Sequence, residues 1–242
     1  MEIIGSLLII YVLYILPLII YIATINFKNK NILKKCVIIL SYISAYVILP
    51  DMYTNILPTI IIISVIIHWK NNDINGEYKK YKFSLREFKF KKAFKYVIAL
   101  YTILIIVSNL NNIILTNLGV NLESQEIVTI LSSYDLSAYL LTIPFTVIFA
   151  PISEEFTFRY LIFNRLFESI LSSRTAFIIL ATLVSIIFAS VHFSITAFAA
   201  LFTLSFYNCY IIEKKGFWYA VFNHMIINGV TAMVILSEKL LL

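Results

Sequence analysis

An all-α, polytopic membrane helix bundle of about eight transmembrane helices is the fold this sequence predicts, and three observations predict it. Of 242 residues, 61% are hydrophobic and only 13% are charged, with a mean hydropathy of +0.91. Soluble domains are about half apolar and about a quarter charged, so lipid must serve as part of the solvent. The apolar runs are also continuous, with five Gly and five Pro in the whole chain. Only helices and closed barrels satisfy their backbone in hydrocarbon, and a barrel would alternate in polarity over about ten residues. Finally, the positive charges fall in every second connection, as a bundle threading back and forth requires.

The apolar stretches lie at about 3–25, 33–49, 56–69, 93–115, 137–152, 175–193, 196–212 and 217–237. Several are shorter than the roughly 20 residues that span a bilayer upright, and 56–69 is the weakest. Glu2 stands where a signal peptide carries positive charge, so the first stretch reads as a retained helix. Residues 1–130 form N-terminal helices and a basic loop, and residues 131–242 form the half in which polar side chains gather. Both belong to one membrane domain.

Lys28, Lys30, Lys34 and Lys35 follow the first stretch, and nine Lys and Arg lie between Lys70 and Lys95. Arg165, Arg174, Lys214 and Lys215 complete the set, while the other connections carry Asp51, Glu123, Glu126 and Asp135. Positive residues stay cytoplasmic, which places both termini outside and supports an even number of spans. The net charge of +6 is therefore topological, with anionic lipid heads as a partner of the basic loop and no role for nucleic acid. That loop, residues 70–92, reads either as an amphipathic helix along the interface or as a solvated loop. Cys36 and Cys209 have no metal-type spacing and read as packing or lipid-facing residues.

Ionisable side chains inside a membrane are costly and usually face a protein cavity. Here they form three groups. In Pro151-Ile152-Ser153-Glu154-Glu155-Phe156-Thr157-Phe158-Arg159, Glu155 and Arg159 share a helix face and pair. Glu154 points about 100° away, which leaves it as the candidate base. His192 closes the run Phe188 to His192, and His224 and Asn228 lie one turn apart on the last helix. Taken singly, these residues also suit structural roles, as an interhelical tie, a helix cap and hydrogen-bond glue. Together they hold the inventory of a hydrolase. Glu154 with His192 takes a proton from water, and His224 and Asn228 donate to an oxyanion. The alternative is that Glu154, His192 and His224 bind a divalent metal such as Zn, although no HExxH is present. A transporter using the same groups as a proton path is disfavoured, since no paired broken-helix repeats are found.

The order EExxxR, FxxxH, HxxxN over roughly residues 138–237 resembles the CAAX protease and bacteriocin-processing family of intramembrane endopeptidases. The resemblance implies eight helices around a cavity facing the cytosol, with Glu154 and His192 activating water and His224 and Asn228 forming the oxyanion-binding pair. It leaves open a metallo- or a glutamate-type mechanism, with or without bound metal. It further implies a membrane-associated peptide or precursor as substrate and a bacterial cytoplasmic membrane as location. A non-catalytic member serving bacteriocin immunity or signalling is the alternative. The family often has glycine after the Phe-Arg pair, where this chain has Tyr160.

A linear helix map does not bring the groups to one depth. His192 falls near the outer end of its helix. His224 lies about eight residues from the inner end of its own, on the order of 12 Å at 1.5 Å per residue.

Overall fold

The computed structural model describes residues 10–24, 32–50, 53–72, 76–167 and 173–241. Lys28, Lys30, Asp51 and the beginning of the first apolar stretch lie outside the described residues. No strand occurs among them, and the protein is a helical membrane bundle. In chain order the helices are α1 (Ile10–Thr24), α2 (Ile32–Ile48), α3 (Ile56–Asn71), α4 (Phe90–Asn117), α5 (Glu126–Ser133), α6 (Leu136–Leu166), α7 (Arg174–Ser190), α8 (Ile195–Lys215) and α9 (Phe217–Leu241). All but the short α5 correspond in order to the eight apolar stretches. Of these, α4, α6, α8 and α9 are long and apolar enough to cross a bilayer, whereas α1, α2, α3 and α7 are apolar but shorter.

The helix boundaries follow local chemistry. Asp135, Ser173 and Ser194 each accept a backbone N–H at a helix start, from Ala138 (2.7 Å), Ala176 (3.1 Å) and Ala197 (3.2 Å), satisfying donors that a helix leaves unpaired. The Ala138 N–H and then the Ser137 hydroxyl, both donating to it, hold the Asp135 carboxyl below its usual range. The weak stretch 56–69 packs one face into the protein interior while Ile60 and Ile67 face outward. Ile62 and Val65 of α3 are fully buried, so this helix has protein rather than acyl chains on one face. By contrast, α2 and α4 present Val47, Ile48, Ile98 and Ile106 outward, as lipid-facing helices do.

α6 departs from regular winding. Pro144 and Pro151 lie within it, and wider π-type turns cover Phe145–Phe149 and Glu155–Leu166. A proline ring clashes with the carbonyl four residues earlier. For Pro151 that residue is Val147, in the middle of the first wide turn. Within the second wide turn the Asn164 side-chain amide donates to the Arg159 carbonyl at 2.7 Å.

The basic segment is neither an interfacial helix nor a solvated loop. It folds as a strap with one helical turn at Glu77–Lys80 and a 3-10 turn at Leu85–Glu87. Its aromatic residues alternate with its lysines, so Tyr81 and Phe83 are buried while Lys79 and Lys80 stay exposed. The indole of Trp218 donates to the Phe83 carbonyl (2.7 Å), the Phe217 N–H donates to the Tyr81 carbonyl (3.1 Å), and the Lys89 N–H donates to the Tyr219 hydroxyl (3.1 Å). Tyr160 fastens the strap from α6 by donating to Glu77 at 2.9 Å, and Arg165 pairs with the same carboxylate. The side chain that stands where the resembling family often has glycine therefore anchors the strap.

Gly216 joins α8 to α9 with φ +106°, and a Cβ there would lie 2.6 Å from the Lys82 Cβ. Gly216→Ala is expected to loosen the strap and cost on the order of 1–3 kcal/mol. This should appear as a lower Tm in thermal unfolding in detergent; an unchanged Tm contradicts the tight crossing.

Candidate active site

The Glu155 carboxylate is fully buried and holds three helices together. Its Oε2 lies 3.2 Å from Arg159 Nε, one turn along α6. Its Oε1 accepts from His224 Nδ1 of α9 (2.8 Å) and from the Asn208 amide of α8 (3.1 Å). Asn208 also donates to the Ala220 carbonyl (3.1 Å) and accepts from Asn223 (3.1 Å). The Arg159 guanidinium is fully buried too and lies over the Phe188 ring, 4.0 Å from its centroid, a favourable cation–π arrangement in a dry site.

Glu154, the adjacent residue, faces elsewhere. The helical step separates it from the ion pair, as the spacing predicts, and its Oε2 lies 3.7 Å from His224 Nε2. That oxygen is buried and has no hydrogen-bond partner among the described residues. The His224 ring therefore sits between two carboxylates. Glu155 takes the Nδ1 hydrogen and so orients Nε2 toward Glu154, in the manner of a carboxylate that fixes the tautomer of a functional histidine.

His192 lies on the turn after α7, with its Nδ1 2.7 Å from the Phe188 carbonyl. The Phe188 ring is 4.8 Å from His192 and 5.9 Å from His224, between centroids. One phenyl ring thus flanks both imidazoles, and the depth mismatch of the linear map is absent from the folded chain. Asn228 donates to the Thr146 carbonyl at 3.0 Å, which leaves its second amide hydrogen available.

Glu154, His192, His224 and Asn228 all line one cavity of about 860 Å³. Glu155 and Arg159 do not reach it; they act on His224 from behind. Sequence reasoning missed Asn208 and Asn223, although an amide inside an apolar helix is the same kind of signal that drew attention to Asn228. It also missed the Phe188 ring as the neighbour of both imidazoles and Thr146 as the partner of Asn228. Among the described residues, no three His, Cys, Asp or Glu side chains are grouped as metal ligands. Glu154, His192 and His224 nevertheless line the same cavity, with Glu154 Oε2 3.7 Å from His224 Nε2.

Removing one partner of a buried ion pair strands the other. Arg159→Met is expected to cost about 3–5 kcal/mol, read as lost yield and Tm in detergent. Adding Glu155→Gln is expected to restore part of the loss; a double variant no better than Arg159→Met contradicts the pairing.

Residues 136–230 match the family described as type II CAAX prenyl endopeptidase, Rce1-like. The matched stretch runs from the start of α6 into α9 and contains Glu154, Glu155, Arg159, His192, His224 and Asn228. It is the family that the three motifs resemble, and it is the pattern of a CAAX protease-type enzyme. No curated protein and no solved structure matches the chain.

Proposed function

We propose that this chain, whose second half carries the pattern of the CAAX prenyl endopeptidases, is an intramembrane endopeptidase that hydrolyses a membrane-associated peptide or precursor in a bacterial cytoplasmic membrane. The observation that carries the reading is the Glu154 carboxylate. It presents an oxygen without a hydrogen-bond partner among the described residues, on the wall of a cavity shared with His192, His224 and Asn228.

In this reading Glu154 takes a proton from a water molecule as the water oxygen attacks the scissile carbonyl carbon, with His192 helping to hold that water. The carbonyl oxygen gains negative charge and is met by the free amide hydrogen of Asn228 and by His224 Nε2. Because Glu155 accepts the Nδ1 hydrogen, His224 donates into the cavity when both ring nitrogens carry a hydrogen. The C–N bond then breaks, and the proton held by Glu154 passes to the leaving amine. Glu155, Arg159 and Asn208 do not touch the substrate; they hold the His224 ring in register. Every step runs through the chain's own side chains.

Glu154→Gln preserves size and hydrogen-bonding shape but removes the base. Turnover of membrane-spanning and prenylated test peptides in proteoliposomes is expected to fall by about 10²–10⁴-fold, with unchanged elution on size exclusion. Cleavage at the parent rate by this variant overturns the reading.

A further inference from the structure

We infer that Asn55, which immediately precedes α3 and lies outside the stretch matched to the endopeptidase family, is a substrate-binding residue whose side-chain amide donates to a main-chain carbonyl of the bound peptide. Calling that peptide a substrate rests on the proposed function, but the place of Asn55 on the walls of the site does not.

Two cavities meet at the site. The larger, of about 860 Å³, has Leu104, Leu131 and Ile227 on its wall, and a smaller one of about 400 Å³ has Val12, Leu13 and Ile187. Six residues line both of them: Asn55, Gln125, Glu126, Ile127, Glu154 and His192. A peptide with one flank in each cavity therefore passes Asn55 as well as Glu154 and His192.

Asn55 is held in one orientation. The Tyr14 hydroxyl of α1 donates to its Oδ1 at 3.1 Å and bonds the Thr54 hydroxyl at 2.7 Å. One turn along α3, the Thr59 hydroxyl lies 2.9 Å from the Asn55 carbonyl and 2.9 Å from the Phe149 carbonyl of α6. The start of α3 is thereby fastened to the helix that carries Glu154. With Oδ1 committed to Tyr14, the polar group that the Asn55 side chain has left is its amide nitrogen, a donor with two hydrogens.

The chemistry of that group selects its partner. A neutral N–H calls for an oxygen acceptor. No Lys or Arg among the described residues lines either cavity, and the apolar walls suit an uncharged segment. The acceptor that such a segment carries whatever its sequence is the main-chain carbonyl. In an intact helix each carbonyl is bonded to an N–H four residues on. Around a bond presented for cleavage it is not, and a carbonyl left unpaired away from water is costly. Asn55 meets one such carbonyl and so holds the peptide unwound beside Glu154, a gain in orientation of the reacting groups. The N-terminal half of the chain, which carries none of the three motifs, thus shares in the site.

Two variants test the assignment. Asn55→Asp keeps the size of the side chain and an oxygen that accepts from Tyr14, but has no amide hydrogen. Tyr14→Phe keeps the amide and removes the tie. Each is placed in the parent, for cleavage of an apolar membrane-spanning test peptide in proteoliposomes, and in Glu154→Gln protein, for binding of the same peptide by fluorescence anisotropy in detergent. For Asn55→Asp, KM and the dissociation constant are expected to rise by about 3–10-fold, the loss of one neutral hydrogen bond, with kcat within about twofold and Tm unchanged. Tyr14→Phe is expected to lower Tm and to move KM less. Parent-like binding by Asn55→Asp overturns the assignment, as does a fall in its Tm equal to that of Tyr14→Phe, which a merely structural tie would give. A peptide that binds the parent but is never cut refutes the hydrolytic reading, while anisotropy still decides on Asn55. A peptide cut by Asn55→Asp with the parent KM refutes the role of Asn55 alone, and a parent that neither binds nor cuts refutes both.

Discussion

The structure depends on one buried carboxylate. Glu155 has no exposed surface, and an ion taken out of water is tolerated only when its lone pairs are met by good partners. His224 of α9 and Asn208 of α8 hydrogen-bond its Oε1, and Arg159 of α6 stands 3.2 Å from its Oε2 as the counter-charge. The attraction between helices that a hydrophobic core supplies in water is weak in lipid, so polar contacts of this kind help decide which helices associate. The same contacts fix an imidazole. With Nδ1 committed to Glu155, His224 has one direction left for Nε2, and that direction leads to Glu154 and the cavity.

Two adjacent glutamates thus do opposite work because a helix turns about 100° per residue. Glu155 faces a closed network in which each oxygen has a cationic or amide neighbour. Glu154 faces the cavity, where one oxygen lacks a hydrogen-bond partner among the described residues. Glu155 Oε2 and the Arg159 nitrogens share that lack, so what sets Glu154 apart is its place on the cavity wall. The wide turns of α6 surround this pair, in keeping with the tendency of π-type winding to occur at functional sites.

The strap is part of the core. Tyr81 and Phe83 are drawn inward while Lys79 and Lys80 remain outside and Lys82 is half-buried, so one segment supplies both the topogenic charge and the aromatic floor. Trp218, Phe217 and Tyr219 hold that floor by main-chain and side-chain hydrogen bonds at the start of α9, a few residues before His224. The packing of the strap and the placing of the helix that carries His224 are therefore set by the same contacts.

By itself the sequence determined the helical membrane bundle, because the cost of exposing backbone and charge to hydrocarbon acts on any apolar run regardless of its neighbours. It also determined the pairing of Glu155 with Arg159 and the separation of Glu154 from both, since these are consequences of local helical geometry. What only the tertiary structure decided was non-local. A linear count of residues placed His192 and His224 at different depths, whereas packing brought both against Phe188. Glu155 read as one half of a simple ion pair, whereas Asn208 and His224 from distant helices complete its shell. The basic segment read as helix or loop, whereas its alternating rings found a partner in α9. Tilt, offset and packing partners arise from contacts between segments far apart in the chain, and neither hydropathy nor spacing encodes them.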